Sequence, residues 1–388
     1  MERFYFDWAA TAIPEKDNFE VTGTSFTFGN PSSVHSEGKA ARQALEDARY
    51  RCAQALGVKP EDLYFTSGGT ESNCIPLFSL LTKPRRDAEK KSAAFLYSAV
   101  EHPSIRENAA ALERLGIPCA PIAVEKDGRV SGEKLEKALA KNPDARMAAI
   151  MAVNNETGAI NDIKALSSLI RKMQKHPIHI HCDAVQVLGK INCNLYDWGV
   201  DSASFSAHKI GGGRGCGLLW LKTPITPLFR GGHQEKKIRP GTENTHGAMV
   251  LANAMEKYVR EPPTVQAEKR MQALFESLQK TDLFIPIPRG RTAVDSRFSP
   301  WICQCAFKNR RGKIIPGEVM VRALDEKGFA VSTGSACSSA DIKRPVLEAM
   351  GVEKELGLGG IRISQGYSTT MEEINLLAGT INTLLNTL

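Results

Sequence analysis

Between residues 33 and 250 the chain switches repeatedly between apolar residues at helical spacing and short, continuous apolar runs. That alternation predicts a doubly wound α/β domain. Residues 34–56 carry helical periodicity, are rich in alanine and end at Gly57, a natural residue just past a helix end. Residues 62–67 read as a strand that runs through Gly68-Gly69 into a helix start at Thr70-Glu71-Ser72-Asn73. Further buried strands are predicted at 94–98, 147–153, 178–182 and Ser202–Ser206, each short, apolar and bounded by polar or glycine-bearing turns. The run 204–209 is read as one short strand closed by Lys209. Gly211-Gly212-Gly213-Arg214-Gly215 then separates it from a strand-like segment at Gly217–Leu221.

After Val250 long helices dominate and strands thin out, predicting a second, α+β domain. Its last helix opens at Thr370 with Glu373 three residues on, the pattern of a capping box. A length of 388 residues exceeds one compact core and supports the division into two. No internal repeat or low-complexity segment interrupts the pattern.

Composition removes several function classes. The net charge of +7 is spread along the chain, which makes no case for nucleic-acid binding. The densest charged stretch, 83–91, is broken by acids and a proline and reads as a solvated loop. The start, Met1-Glu2-Arg3-Phe4-Tyr5-Phe6-Asp7-Trp8, lacks the cationic and apolar regions of a secretory signal, and no apolar stretch approaches a membrane span. Nine scattered cysteines form no C-x-x-C pair, and Cys303 and Cys305 alternate as on a strand. A disulfide framework and a metal site are therefore not expected, and a cytoplasmic location is.

Two residues carry candidate chemistry. Lys209 follows Asp183 by 26 positions, and Cys337 sits among small residues in Ser332-Thr333-Gly334-Ser335-Ala336-Cys337-Ser338-Ser339. A lysine, an acid at a strand end and hydroxyl and imidazole groups beside the lysine are what pyridoxal 5'-phosphate (PLP) requires. Lys209 would form the Schiff base and Asp183 would keep the pyridine nitrogen protonated. Asp183 ends a predicted strand, where ligands gather in such sheets. Gln186 could donate to the ring phenolate. Gly69 and Thr70 at a helix start, with Ser206 and His208, could cradle the phosphate. His102, after strand 94–98, could stack on the ring and shuttle protons. Arg362 has the fork geometry to clamp a substrate carboxylate. Taken singly each residue is commonplace; their order along the chain is not. A thiol among small residues on an accessible segment suits sulfur transfer, although a free cysteine is more commonly a small buried hydrophobe.

The ordered motifs resemble the PLP-dependent cysteine desulfurases of the NifS/IscS type, within the class V aminotransferase, fold-type I group. They are Phe6-Asp7-Trp8-Ala9-Ala10-Thr11, Gly29-Asn30-Pro31-Ser32-Ser33-Val34-His35, Phe65-Thr66-Ser67-Gly68-Gly69-Thr70-Glu71-Ser72-Asn73 and Glu101-His102. Val153-Asn154-Asn155-Glu156-Thr157-Gly158, His181-Cys182-Asp183-Ala184-Val185-Gln186, Ser204-Phe205-Ser206-Ala207-His208-Lys209 and Arg239-Pro240-Gly241-Thr242-Glu243-Asn244 follow. Gly334-Ser335-Ala336-Cys337 and Arg362-Ile363-Ser364 close the series.

The resemblance implies a large domain over 15–255 with a mostly parallel seven-stranded sheet. It implies a smaller α+β domain from 1–14 and 256–388 that carries the Cys337 loop. It gives Lys209 as the Schiff-base lysine, with Asp183 and Gln186 on the ring and His102 as a stacking acid/base. Gly69, Thr70, Ser206 and His208 fall at the phosphate, Asn155 beside ring and substrate, Arg362 on the substrate carboxylate, and Cys337 as the nucleophile. Thr242 would reach the neighbouring subunit's phosphate, which implies a homodimer. The implied reaction converts L-cysteine to L-alanine and leaves sulfur on Cys337 as a persulfide. A sulfur-acceptor protein, serving iron–sulfur cluster assembly or tRNA thiolation, would take it onward. A selenocysteine lyase, an aminotransferase or another fold-type I PLP enzyme would keep Lys209 and Asp183 without needing Cys337; a degenerate scaffold would need neither.

Departures stand at Gly212-Gly213-Arg214-Gly215, where the family commonly has Gly-Pro-Lys-Gly, and at Gln234-Glu235-Lys236-Lys237, where it has Gln-Glu-Arg-Gly. Ser338-Ser339-Ala340-Asp341 resembles the longer-loop subgroup.

Overall fold

The computed structural model describes residues 2–19, 28–82, 94–259, 262–334 and 343–387. Cys337 with its neighbours 335–342, and the charged stretch 83–91, lie outside the described residues.

Seven strands form the central sheet, in the spatial order Leu63–Thr66, Gly217–Leu221, Ser202–Ser206, His179–Asp183, Met147–Ala149, Phe95–Ser98 and Cys119–Ile122. Gly217–Leu221 pairs antiparallel with both of its neighbours, and the pairings from Ser202–Ser206 outward to Cys119–Ile122 are parallel. This is the mostly parallel seven-stranded sheet that the family resemblance implies. Its apolar residues lead the larger core, among them Phe65, Leu96, Ala148, Ile180, Phe205 and Trp220.

The long alanine-rich helix spans Ser36–Leu56. His35 caps its start by accepting from the Gly38 N–H, and Gly57 ends it at φ 66, a left-handed conformation that costs glycine little. Small residues on its buried face let it lie against the helix Thr245–Tyr258.

Predicted strand ends were less accurate than predicted strands. The run 147–153 is strand only to Ala149; beyond it the Met151 N–H goes to Glu101 Oε1 and the Met151 carbonyl accepts from Asn161 Nδ2, while Ile150 and Ala152 still donate to the His181 and Asp183 carbonyls. The run 204–209 stops being strand at Ser206, and Ala207–Lys209 is a 3-10 turn. Lys209 therefore sits on a tight turn beyond the strand end rather than closing the strand. The run 178–182 is shifted by one to His179–Asp183. Period-2 alternation puts His179, His181 and Asp183 on one face, and Ile180 and Cys182 on the other, which belongs to the larger core.

A second core gathers Phe6, Met271, Leu274, Phe275, Phe307, Leu324, Phe329, Ile374, Leu377 and Ile381. Its antiparallel sheet has the order Ile361–Ser364, Ile302–Phe307, Phe284–Pro286. The N-terminal strand Phe4–Tyr5 pairs in parallel with Phe329–Ala330, so the first residues pack with the last third of the chain. Thr370 and Glu373 form the expected capping box on helix Met371–Leu384.

Candidate active site

A cavity of about 990 Å³ opens where the parallel strands end, with the second core as its far wall. Leu63–Thr66 leads into Gly69 and Thr70, Phe95–Ser98 into His102, and Met147–Ala149 into Met151, Asn155 and Glu156. Asp183 ends its strand at the cavity, and Ser206, His208 and Lys209 leave theirs there. Asp7, Ala9 and Ala10 reach in from the N-terminal segment and Arg362 from the second core's sheet.

Lys209 Nζ donates to the carbonyls of Ala9 at 2.7 Å and Ala10 at 2.8 Å. Burial brings its pKa down to about 8. Arg362 pushes the same way, while Asp183 and Asp7 oppose. At neutral pH the amine is thus far closer to its nucleophilic form than a surface lysine. Asp183 accepts from Asn73 Nδ2 at 2.8 Å and from the Val185 N–H at 3.0 Å. The carboxylate is hydrogen-bonded and fixed in place at the cavity floor.

Gly68 takes φ 153, and a Cβ on Gly69 would come within 2.6 Å of Val185 Cγ2. Only glycine lets the backbone pass this close while the first N–H groups of helix Gly69–Phe78 remain open to an anion. Ser206 and His208 also line the cavity. His208 is held neutral, its pKa brought down to about 4 by burial and by Lys209. A helix start, a hydroxyl, a carboxylate and a depressed lysine around one cavity fit an anionic pyridine aldehyde.

Arg362 is buried on strand Ile361–Ser364. Its Nη2 donates to Asp7 Oδ1 at 2.6 Å and its Nη1 to the Asn155 carbonyl at 2.8 Å. Nearby, Glu156 is buried with its carboxyl pKa raised by desolvation against the opposing pull of Arg362, Arg344 and Arg106. Glu156 Oε2, both polar side-chain atoms of Gln304 and Arg362 Nε have no partner among the described residues.

Gln186 lines the cavity, with its Nε2 donating to the Ala9 carbonyl at 2.9 Å and its Oε1 accepting from the buried Lys190 Nζ at 2.6 Å. Thr242 is not in this cavity. It lies in a second hollow of about 430 Å³ with Phe28, Asn30, Asn244 and His246. The loop before it is pinned by the buried pair of Arg49 with Glu235 at 2.7 Å. Glu235, Lys236 and Lys237 all take positive φ, and Lys237, at φ 70, stands where the resembling family has glycine.

Reading the sequence missed Asp7, Asn73, Ser104, Glu156 and Lys190. Asp7, Asn73 and Glu156 lay inside the motifs but carried no local signal of their own. Ser104 and Lys190 are short-range neighbours of His102 and Gln186, and that spacing is the one clue the chain offered.

Residues 4–377 match the aminotransferase class-V family. This chain belongs to that family. It is 36% identical over 387 residues to a cysteine desulfurase IscS of Dictyoglomus turgidum, covering 96% of this chain and 91% of that one. A cysteine desulfurase IscS of Methanosarcina thermophila is 33% identical, covering 96% and 89%. Among solved structures, a NifS-like protein superposes with a TM-score of 0.87 at 32% identity over 100% of both chains. A structure described as SspA in complex with cysteine gives a TM-score of 0.77 at 26% identity, covering 93% of this chain and 98% of that one.

Proposed function

We propose that this chain is a PLP-dependent cysteine desulfurase that converts L-cysteine to L-alanine and takes the sulfur on Cys337 as a persulfide. One observation carries the reading. A depressed lysine amine, a fixed carboxylate and a buried arginine share one cavity, in a chain that matches named desulfurases over nearly its whole length. When bound, PLP supplies an aldehyde to capture an amine and a ring that draws electrons from the bonds around it.

The residues around it divide the remaining work. Lys209 would hold the aldehyde and, once displaced by substrate, stand as a nearby amine able to move a proton. Asp183 would face the pyridine nitrogen, with Gln186 at the ring oxygen and His102 over the ring. The Gly69–Thr70 turn, Ser206 and His208 would hold the phosphate. Arg362 would take the substrate carboxylate through its Nε–H, which has no partner among the described residues, and its remaining Nη hydrogens, beside Asn155. Thr242 would complete the neighbouring site in a homodimer, a reading supported by its separate hollow and by the exposed Phe28, Val34 and Phe229. The two cores support a large domain over 15–255 and a small one from 1–14 and 256–388. A cytoplasmic location and delivery to a sulfur-acceptor protein complete the proposal. No helix among the described residues is long and apolar enough to cross a membrane.

The test is mass spectrometry of the Cys337 peptide after incubation with L-cysteine, alongside assay of alanine. One added sulfur on wild-type Cys337, and loss of persulfide in Cys337→Ala with PLP still bound, are expected. Undiminished turnover in Cys337→Ala would instead favour a lyase that does not use the thiol.

A further inference from the structure

His102 is the first residue before helix Pro103–Arg114, and its ring caps that helix. Its Nδ1 receives the Ser104 backbone N–H at 3.1 Å and lies 2.8 Å from Ser104 Oγ. Ser104 Oγ in turn accepts from Asn73 Nδ2 at 2.8 Å, so its own hydrogen is left for His102 Nδ1. The other hydrogen of that amide goes to Asp183 Oδ2.

Asn73 cannot be turned over. Its oxygen would then face the Asp183 carboxylate, so Oδ1 must point the other way, at His181 Nε2 2.9 Å off. His181 Nε2 therefore carries a hydrogen. Its ring is fully buried and neutral, with its pKa brought down to about 3 by burial first and His179 second. Nδ1 is thus an acceptor, and it takes the Ser202 Oγ hydrogen at 2.7 Å. Ser202 has no second hydrogen to give, so His179 Nε2, also 2.7 Å away, donates to it. Every donor from His179 to Ser104 points the same way, along the polar face of strand His179–Asp183 and up to the cavity. Chains aligned in this manner reinforce one another at low dielectric.

We propose that this chain of hydrogen bonds, with its direction set by Asp183, locks His102 as the neutral Nε2–H tautomer. His102 then meets ligands in the cavity as a hydrogen-bond donor and not as a base. Nδ1 is occupied by two donors, and Nε2 has no lone pair to offer. A proton added to the ring would have to enter at Nδ1 and break the contacts with Ser104. The charged and titratable groups facing His102 are Asp183, Lys209, Arg106 and His208; burial lowers its pKa, Lys209 and Arg106 add to that, and Asp183 opposes. The functional half rests on the desulfurase reading. Within that reading the proton-accepting role passes to Lys209, and Asn73, Ser104, His181 and Ser202 are positioning residues.

The test is nitrogen NMR of protein labelled at its eight histidines, with and without PLP, His102 being assigned by loss of its signals in His102→Gln. A protonated Nε2 and an unprotonated Nδ1 through neutral pH are expected. Ser104→Ala should raise the His102 pKa by about one unit, since it removes one donor to the neutral ring, and Ser104→Thr should restore it. An imidazolium or Nδ1–H form at pH 7, or a His102 titration unmoved in Ser104→Ala, overturns the proposal. The tautomer is read without turnover. Absent persulfide with an intact Nε2–H signal would count against the desulfurase reading and leave the hydrogen-bond chain standing.

Discussion

The floor of the cavity and its far wall use buried polar groups in opposite ways. On the floor Asp183, Asn73, Ser104, His181 and Ser202 are hydrogen-bonded to one another in one continuous series. Across the cavity Arg362 Nε, and on the neighbouring strand both polar side-chain atoms of Gln304, lack partners among the described residues. Buried polar groups left without partners cost stability, and fully paired networks hold a fixed shape. The floor is therefore pre-organised for a resident group, while Arg362 on the far wall keeps an Nε–H that no described residue takes. The same division runs through the core: the floor joins strands of the large sheet to helices packed on it, while Arg362 and Gln304 pair across the small antiparallel one.

Changes to the floor should have the largest effects. Asp183→Asn removes the only formal charge in that series and puts an amide against Asn73. A loss of about 10² to 10³-fold in turnover, measured with PLP saturating, is expected, in line with removal of one pre-organised electrostatic group. A smaller loss would show that the floor holds its shape without its charge. Next, Arg362→Ala should lower kcat/KM for L-cysteine by about 10 to 100-fold, the worth of a charge-assisted hydrogen bond or two. Arg362→Lys should recover little of it, because lysine lacks the planar fork.

Proton uptake gives a third way to separate the regions. The Lys209 pKa lies at about 8 instead of its ordinary 10.5, so the neutral amine gains tenfold for each pH unit below 8 and levels off above it. The rate at which PLP recombines with cofactor-free protein, followed by absorbance, should trace that curve. Because Arg362 helps lower this pKa, Arg362→Ala should move the midpoint to higher pH. An unmoved midpoint would mean that the far wall has no electrostatic hold on the floor.

The smallest effects belong to groups with nothing to lose. Gln304→Met removes two buried atoms without a partner among the described residues, at similar volume, and should leave the thermal midpoint of cofactor-free protein unchanged, or raise stability by about 1 kcal/mol. A clear loss of stability would reveal a partner for Gln304. Lys237→Gly, remote from both regions, should stabilise by about 1 kcal/mol by relieving a left-handed lysine.

Much of the frame was legible in the chain, and unevenly so. Buried strands announce themselves as short apolar runs, so Gly217–Leu221 was read correctly to the residue, and Ser202–Ser206 was placed although a strand was also carried on to Lys209. The strand His179–Asp183 was located but misjudged as apolar. Its histidines are buried as polar partners of Asn73 and Ser202, and such burial depends on residues far away in sequence. The end of 147–153 was missed because two distant side chains, Glu101 and Asn161, take the N–H and carbonyl of Met151 there.

Local spacing by itself determined the α/β alternation, the capping box at Thr370 and the order of the candidate residues from Gly69 to Arg362. Those features arise from contacts within a few residues, which a linear pattern records. Only the folded chain decided that Asp7 sits on Arg362, that Ala9 receives both Lys209 and Gln186, and that Asn73 joins Asp183 to His102 through Ser104. These partners lie 31 to 355 positions apart, and a hydrogen bond's direction depends on which distant atoms burial brings within 3 Å.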